Sequence, residues 1–153
     1  MHVTVEYTEE VKTPFREDFF QKIAQRTLDE CQLSFLEGKE ISVNVVAVTT
    51  EKIQELNTRY RGKESVTDIL SFGEYESLDD LEQAPEEEIF LGELFFCPTF
   101  IENSAEEDEV TFEREMVYIF SHGVLHLVGF DHEEEMFTIQ ERVTDVFTGE
   151  SRV

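Results

Sequence analysis

An α+β fold, with one mixed sheet of about four strands and helices packed on it, is predicted by three features of this chain. Short β-branched runs alternate with runs of helical period through residues 1–72. A fourth strand-like run then follows the third across a polar loop, with no helical pattern between them. From Phe112 onward the apolar spacing is helical. A length of 153 residues suits a single domain covering 1–153, and a domain of this size buries about 70% of its unfolded surface without needing staples.

The elements follow in order. Val3, Val5 and Tyr7 alternate with polar residues, the period of a first strand. Pro14 opens a helical pattern that carries Phe19, Phe20, Ile23, Ala24, Thr27, Leu28 and Cys31 on one face. "ISVNVVAV" (41–48) is a β-branched run, read as a buried second strand. Thr50 is placed to cap a short helix bearing Ile53, Leu56 and Tyr60 and ending before Gly62. "VTDILSF" (66–72) reads as the third strand, and residues 73–88 as a polar loop long enough to be functional or mobile. "IFLGELFF" (89–96) is the fourth strand, and Gly92 within it marks a bulge or the close approach of another group. One helix is expected from Phe112 through Val128 and another from Glu133 to Phe147, whose three leading glutamates suit the helix dipole.

The N-terminus, "MHVTVEY", has neither the basic start nor the apolar run of a signal peptide. The apolar stretch from Met116 to Phe130 is too short to cross a bilayer. A cytoplasmic protein is expected. Cys31 and Cys97, without C-x-x-C spacing, read as small apolar residues in a reducing compartment. The formal charge of −24 works against polyanions at long range. Yet Arg59, Arg61 and Lys63 place three of the 12 basic residues within five positions. Screening over about 8 Å lets such a local cluster act against a distant acidic shell.

Three of the four histidines fall in "HGVLHLVGFDH" (122–132), spaced H-x3-H-x5-H. On a helix His122 and His126 share a face, with Cβ atoms roughly 5–6 Å apart. Gly129 supplies the left-handed residue that stops the helix, so the chain can return His132 toward the same point. Three imidazoles with a fourth position open are the mark of catalytic zinc, one ion per chain. The site would lie on a helix of the C-terminal half and the turn after it. His2, beside the initiator Met, is set aside. The stretch also resembles the metzincin protease signature H-E-x-x-H-x-x-G-x-x-H, but Gly123 stands where the protease needs its glutamate base. Gly123 serves either tight packing or space beside the metal for a bulky substrate.

"HGVLHLVGFDH", followed by acidic residues and Met136-Phe137, resembles the motif of the YbeY-type ribosomal RNA maturation factors, a family of metal-dependent endoribonucleases. "LNTRYRGKESVTDILSF" (56–72) is similar to that family's L-N-x-x-Y-R-x-K-D-x-P-T-D-V-L-S-F, and "LGELFFCP" (91–98) to its L-G-D-I strand. Val66 stands for the family's proline, Gly73 for another, and Glu93 for an aspartate one methylene shorter. The resemblance implies a zincin-like α+β fold, zinc held by His122, His126 and His132, and a cleft arginine at Arg61. It also implies action on single-stranded RNA, maturation of the 3′ end of small-subunit rRNA, and ribosome quality control, with the ribosome or small-subunit proteins as partners. No membrane and no DNA partner is expected.

Three neutral imidazoles on zinc would bring the pKa of bound water toward about 7, supplying a nucleophile without the missing glutamate. Arg61 would stabilise the charge gathering on phosphorus. Arg59 and Lys63 are candidates for holding phosphates. Thr67, Asp68, Ser71, Glu93 and Asp131 are candidates to line the cleft or to hold a histidine's second nitrogen. Two rival functions stay open at this point. One is a zincin-type metalloprotease; the other is a non-enzymatic, metal-stabilised ribosome assembly factor whose acidic surface suits basic ribosomal proteins.

Overall fold

The computed structural model describes residues 1–130 and 133–149. Its strands are β1 (His2–Glu9), β2 (Glu40–Ala47), β3 (Ile69–Gly73) and β4 (Glu88–Phe96). Its helices are α1 (Glu17–Cys31), α2 (Thr50–Arg61), α3 (Leu78–Glu82), α4 (Pro98–Glu107), α5 (Phe112–Leu127) and α6 (Glu133–Thr148). The four strands form one sheet in the order β1-β2-β4-β3, with β3 antiparallel to β4 and the other neighbours parallel. The expected mixed sheet with helices packed on it is thus observed.

Alternation along the strands decides which face carries the core. Val3, Val5, Ile41, Val43, Val45 and Ala47 turn to the side of α1 and α5 and are essentially without exposure. There Phe20 of α1 meets Phe96 of β4 and Phe120 of α5, with ring centroids 5.4 and 4.9 Å apart. A smaller apolar cluster lies on the other face, where Ile53 and Leu56 of α2 pack with Leu70, Phe72 and Phe95. α5 is buried along most of its length, and α6 packs against it.

Several boundaries differ from the expected ones, each for a local reason. The first helix begins at Glu17 rather than Pro14, because Thr13 Oγ1 accepts the Phe15 N–H and holds the chain in a turn. The cap of α2 is Thr49, whose hydroxyl accepts the Lys52 N–H, and not Thr50. β3 starts at Ile69 because the Asp68 carboxylate takes up the Ile69 N–H at 2.6 Å, while Val66 turns away into the smaller cluster. The polar 73–88 loop contains α3, capped by Ser77. α4 was not foreseen: acidic residues hide its Ile101 and Ala105, although Pro98 in its first turn is a start signal. Cys97 is buried as expected; Cys31 is half-buried, and burial, then Glu135 and Glu30, push its thiol up to about 12.

Gly92 answers to both readings given for it. The β2–β4 register jumps so that Leu91 is an extra residue between Phe90 and Gly92. Gly92 takes φ +141°, and a Cβ there would sit 2.2 Å from the Phe72 carbonyl oxygen. Gly92→Ala is therefore expected to cost about 3 kcal/mol or more, through backbone strain and the forced separation of β3 from β4. Urea unfolding of the two proteins measures this.

Candidate metal centre and its cleft

His122 and His126 sit one turn apart on α5, and close packing beneath them sets their height. A Cβ on Gly123 would lie 2.8 Å from Ile69 Cδ1 and 3.1 Å from Leu94 Cδ2. Gly123 therefore lets α5 settle onto β3 and β4, so of the two explanations for this glycine the packing one holds. The helix ends as expected: Gly129 takes φ +92° and donates its N–H to the His126 carbonyl, and Phe130 donates to that of Leu125. A Cβ on Gly129 would meet the backbone at Ser77 and Leu78 within 2.7 Å. That contact presses the 73–88 segment against the end of α5 and makes it a wall of the cleft.

The two Nε2 atoms face each other at 2.8 Å, with ring planes 86° apart. Gln140 of α6 explains why Nε2 is the nitrogen presented by His122. Its Nε2 donates to the Tyr118 carbonyl at 3.2 Å, which turns Oε1 toward His122 Nδ1 at 3.1 Å. A carbonyl oxygen can only accept, so Nδ1 carries the proton and Nε2 keeps its lone pair. The 2.8 Å contact makes His126 Nε2–H the donor to that lone pair, and a cation between the two rings would need His126 in its Nδ1–H tautomer. Loss of water around its ring, and secondly the neighbouring His122, push the His126 pKa below the ordinary value, which favours the neutral form that a cation needs.

This donor set fits a divalent cation. Two imidazole nitrogens on tetrahedral zinc stand about 3.3 Å apart, an opening of about 0.5 Å that small ring rotations supply. Among the described residues no cluster of three metal-ligating side chains is found. His132, the expected third ligand, and Asp131 lie outside the described residues.

His122 and His126 line a cleft of about 500 Å³ together with Arg61, Asp68, Ser71, Tyr75 and Glu76. Arg61 is exposed but not loose: its Nη2 donates to the Ser71 carbonyl at 2.6 Å and its guanidinium covers the Phe72 ring at 4.9 Å. Thr67 reaches Asp68 and not a histidine. Glu93 is not in the cleft. It pairs with Phe72, one step out of phase with Leu94 beneath Gly123, and so belongs to the opposite face of the sheet. Arg59 and Lys63 are exposed on and just beyond the last turn of α2. The residue that holds a histidine's second nitrogen is Gln140, which the sequence reading missed, and Tyr75 and Glu76 were missed as well. Gln140 is eighteen positions from His122 and reads as one polar residue on an amphipathic helix; only its burial, at 1% exposure, sets it apart. A second hollow of similar size, between Phe15, Phe19, Phe112 and Phe147, holds no histidine.

The sequence profile of the family described as Endoribonuclease YbeY matches residues 5–148. The Endoribonuclease YbeY of Thermotoga maritima is 36% identical over 119 residues, which is 74% of this chain and 72% of that protein. That of Lactobacillus gasseri is 41% identical over 116 residues, 69% and 65% of the two chains. That of Ureaplasma urealyticum serovar 10 is 34% identical over 141 residues, 89% and 86% of the two. The solution structure of a Thermotoga maritima protein, TM1509, superposes with a TM-score of 0.61 at 27% identity, covering 96% of this chain and 89% of that one.

Proposed function

The chain belongs to the Endoribonuclease YbeY family, and from that membership we propose that it is a metal-dependent endoribonuclease which cuts single-stranded RNA in the cleft beneath α5. The observation that carries this reading is the meeting of two inward-facing imidazole nitrogens with a braced guanidinium in one cleft. His122, His126 and His132 would hold the cation, zinc by the preference of imidazole for it. Bound there, the cation supplies Lewis acidity that makes an oxygen nucleophile available at neutral pH.

The chain's own residues do the rest. Gln140 holds the Nδ1 proton of His122 and keeps Nε2 available as a ligand. The guanidinium of Arg61, braced by Ser71 and Phe72, faces the scissile phosphate and stabilises the charge that grows on its oxygens. Asp68 and Glu76 add negative charge to the walls, so a phosphate enters only beside Arg61. Asp131 remains a candidate to hold a ligand, and Arg59 and Lys63 to hold the strand.

On this reading the whole of 1–153 serves as one hydrolase unit in the cytoplasm, maturing the 3′ end of small-subunit rRNA and acting in ribosome quality control. The ribosome or small-subunit proteins bring so acidic a chain to its substrate. No helix among the described residues is long and apolar enough to cross a membrane. A protease would need a base beside His122, and Gly123 provides none.

Paired digests test the proposal. Purified protein is given single-stranded RNA and an unfolded protein, each with and without chelator. RNA is expected to be cut only without chelator, and the protein substrate to stay whole. Proteolysis without RNA cleavage would overturn the reading, and so would chelator-insensitive cutting.

A further inference from the structure

The last turn of α2 carries an aromatic group that the chemistry above does not use. Tyr60 is 55% exposed although it belongs to a chain of rings that runs into the outer face of the sheet. Its ring meets Phe72 at 5.3 Å and 71°, and Phe72 meets Phe95 at 5.7 Å and 77°. The Arg59 guanidinium lies 5.7 Å from the Tyr60 centroid, and that of Arg61 covers Phe72 at 4.9 Å. Phe95 and Phe72 belong to the smaller apolar cluster with Ile53 and Leu56, so the base of this ladder is fixed while its outer ring stands in water. Lys63 is exposed three residues further on. The cleft begins one residue from Tyr60, at Arg61.

We propose that Tyr60 is a base-stacking subsite for the substrate strand, receiving an unpaired nucleobase next to the phosphate held at Arg61. This rests on the endoribonuclease reading and adds to it the means by which the strand is gripped. An exposed ring pre-set by its neighbours and flanked by cations is how single-stranded nucleic acid is bound without sequence preference, because every base offers a π face. A base inside a duplex has no free face, so the subsite selects unpaired strands.

The charge of the chain makes such a contact necessary. At −24 overall the protein cannot draw affinity from many phosphate contacts. With the three cations Arg59, Arg61 and Lys63, the slope of log affinity against log salt is limited to about −2, at about −0.7 per phosphate for single strands. Stacking is insensitive to salt and supplies what electrostatics does not.

The chain contains no tryptophan, so Tyr60→Trp places its one tryptophan in the subsite, where it can be excited apart from the remaining tyrosines. A short cleavage-resistant single-stranded RNA is the probe, titrated into metal-loaded protein. The Trp emission of Tyr60→Trp is expected to be quenched on binding, and a duplex of the same sequence to leave it unchanged. Tyr60→Ala is expected to bind the single strand about 5- to 150-fold more weakly, by the same factor at low and high salt. Tyr60→Phe should bind as wild type does. Replacing Arg59 and Lys63 with glutamine should instead flatten the salt dependence. Because the ring is mostly exposed, Tyr60→Ala opens no buried cavity, and thermal melts check that it stays folded. Wild-type-like binding by Tyr60→Ala, or RNA binding that leaves the Trp emission unmoved, would overturn the subsite while the nuclease reading stood. Failure of the wild-type protein itself to bind or cut RNA would take down both.

Discussion

His126→Ala is expected to empty the metal centre. The wild-type chain should hold about one zinc ion, set by one constellation of three imidazoles. Removing a nitrogen that faces His122 Nε2 at 2.8 Å leaves a pair of ligands at best. Structural zinc bound by four ligands gains about 10–16 kcal/mol, so one ligand lost weakens the site by about two orders of magnitude or more. Elemental analysis after dialysis reads this directly; equal zinc in wild type and variant, or none in either, would remove the centre. His126 is exposed, so its loss opens no hole in the core and the variant should stay folded. In the same titration Gln140→Leu should bind zinc about 10- to 100-fold more weakly, because the Nδ1 proton of His122 loses its acceptor. The pH dependence has a definite sign. Ligands must be neutral, so affinity falls as pH drops through the imidazole pKa values. For His126 that loss begins below the ordinary value of about 6.5, since its pKa is lowered.

Arg61→Ala is expected to keep the metal and lose the reaction. Arg61 is held by Ser71 and Phe72 and lines the same cleft as the histidines, but its guanidinium, always protonated, is no ligand for a cation. Its removal should leave zinc content unchanged and reduce kcat by about 10²- to 10³-fold, the effect of losing one preorganised transition-state donor. The exposed contacts it gives up are worth about 1 kcal/mol of stability. Arg61→Lys should restore little, because a lysine cannot offer the planar fork to two phosphate oxygens. A fall in affinity alone, with kcat intact, would make Arg61 a binding residue and no more. Unchanged cleavage would take it out of the mechanism.

The parts of the site that were legible in advance share one property: they are local. His122 and His126 are a turn apart on a single helix, so the period of α5 alone puts them on one face. The stop at Gly129 is likewise a matter of one residue's φ. The β-branched run at 41–48 and the amphipathic 133–147 segment carry their own periods, and β2 and α6 appear close to where those periods put them. Misplaced boundaries came where a side chain intercepted the backbone, as Asp68 does at Ile69 and Thr49 at Lys52. Such bonds leave no mark on hydrophobic spacing.

The amino-acid sequence by itself determines the four strands, helices α1, α2, α5 and α6, the histidine pair and the basic turn at 59–63, because each carries its signal within a few residues along the chain; α3 and α4 carry no clear signal of that kind. Only the tertiary structure decides that Gln140 and not Thr67, Asp68 or Ser71 holds His122, that Glu93 faces away from the cleft, and that Tyr60 is the exposed end of a ring ladder. These follow from sheet register, from the seating of α5 on Ile69 and Leu94, and from the packing of α6 on α5. A register shift of one residue would move every strand side chain to the other face. Contacts between distant segments are set by that register and by packing, and no local pattern encodes either.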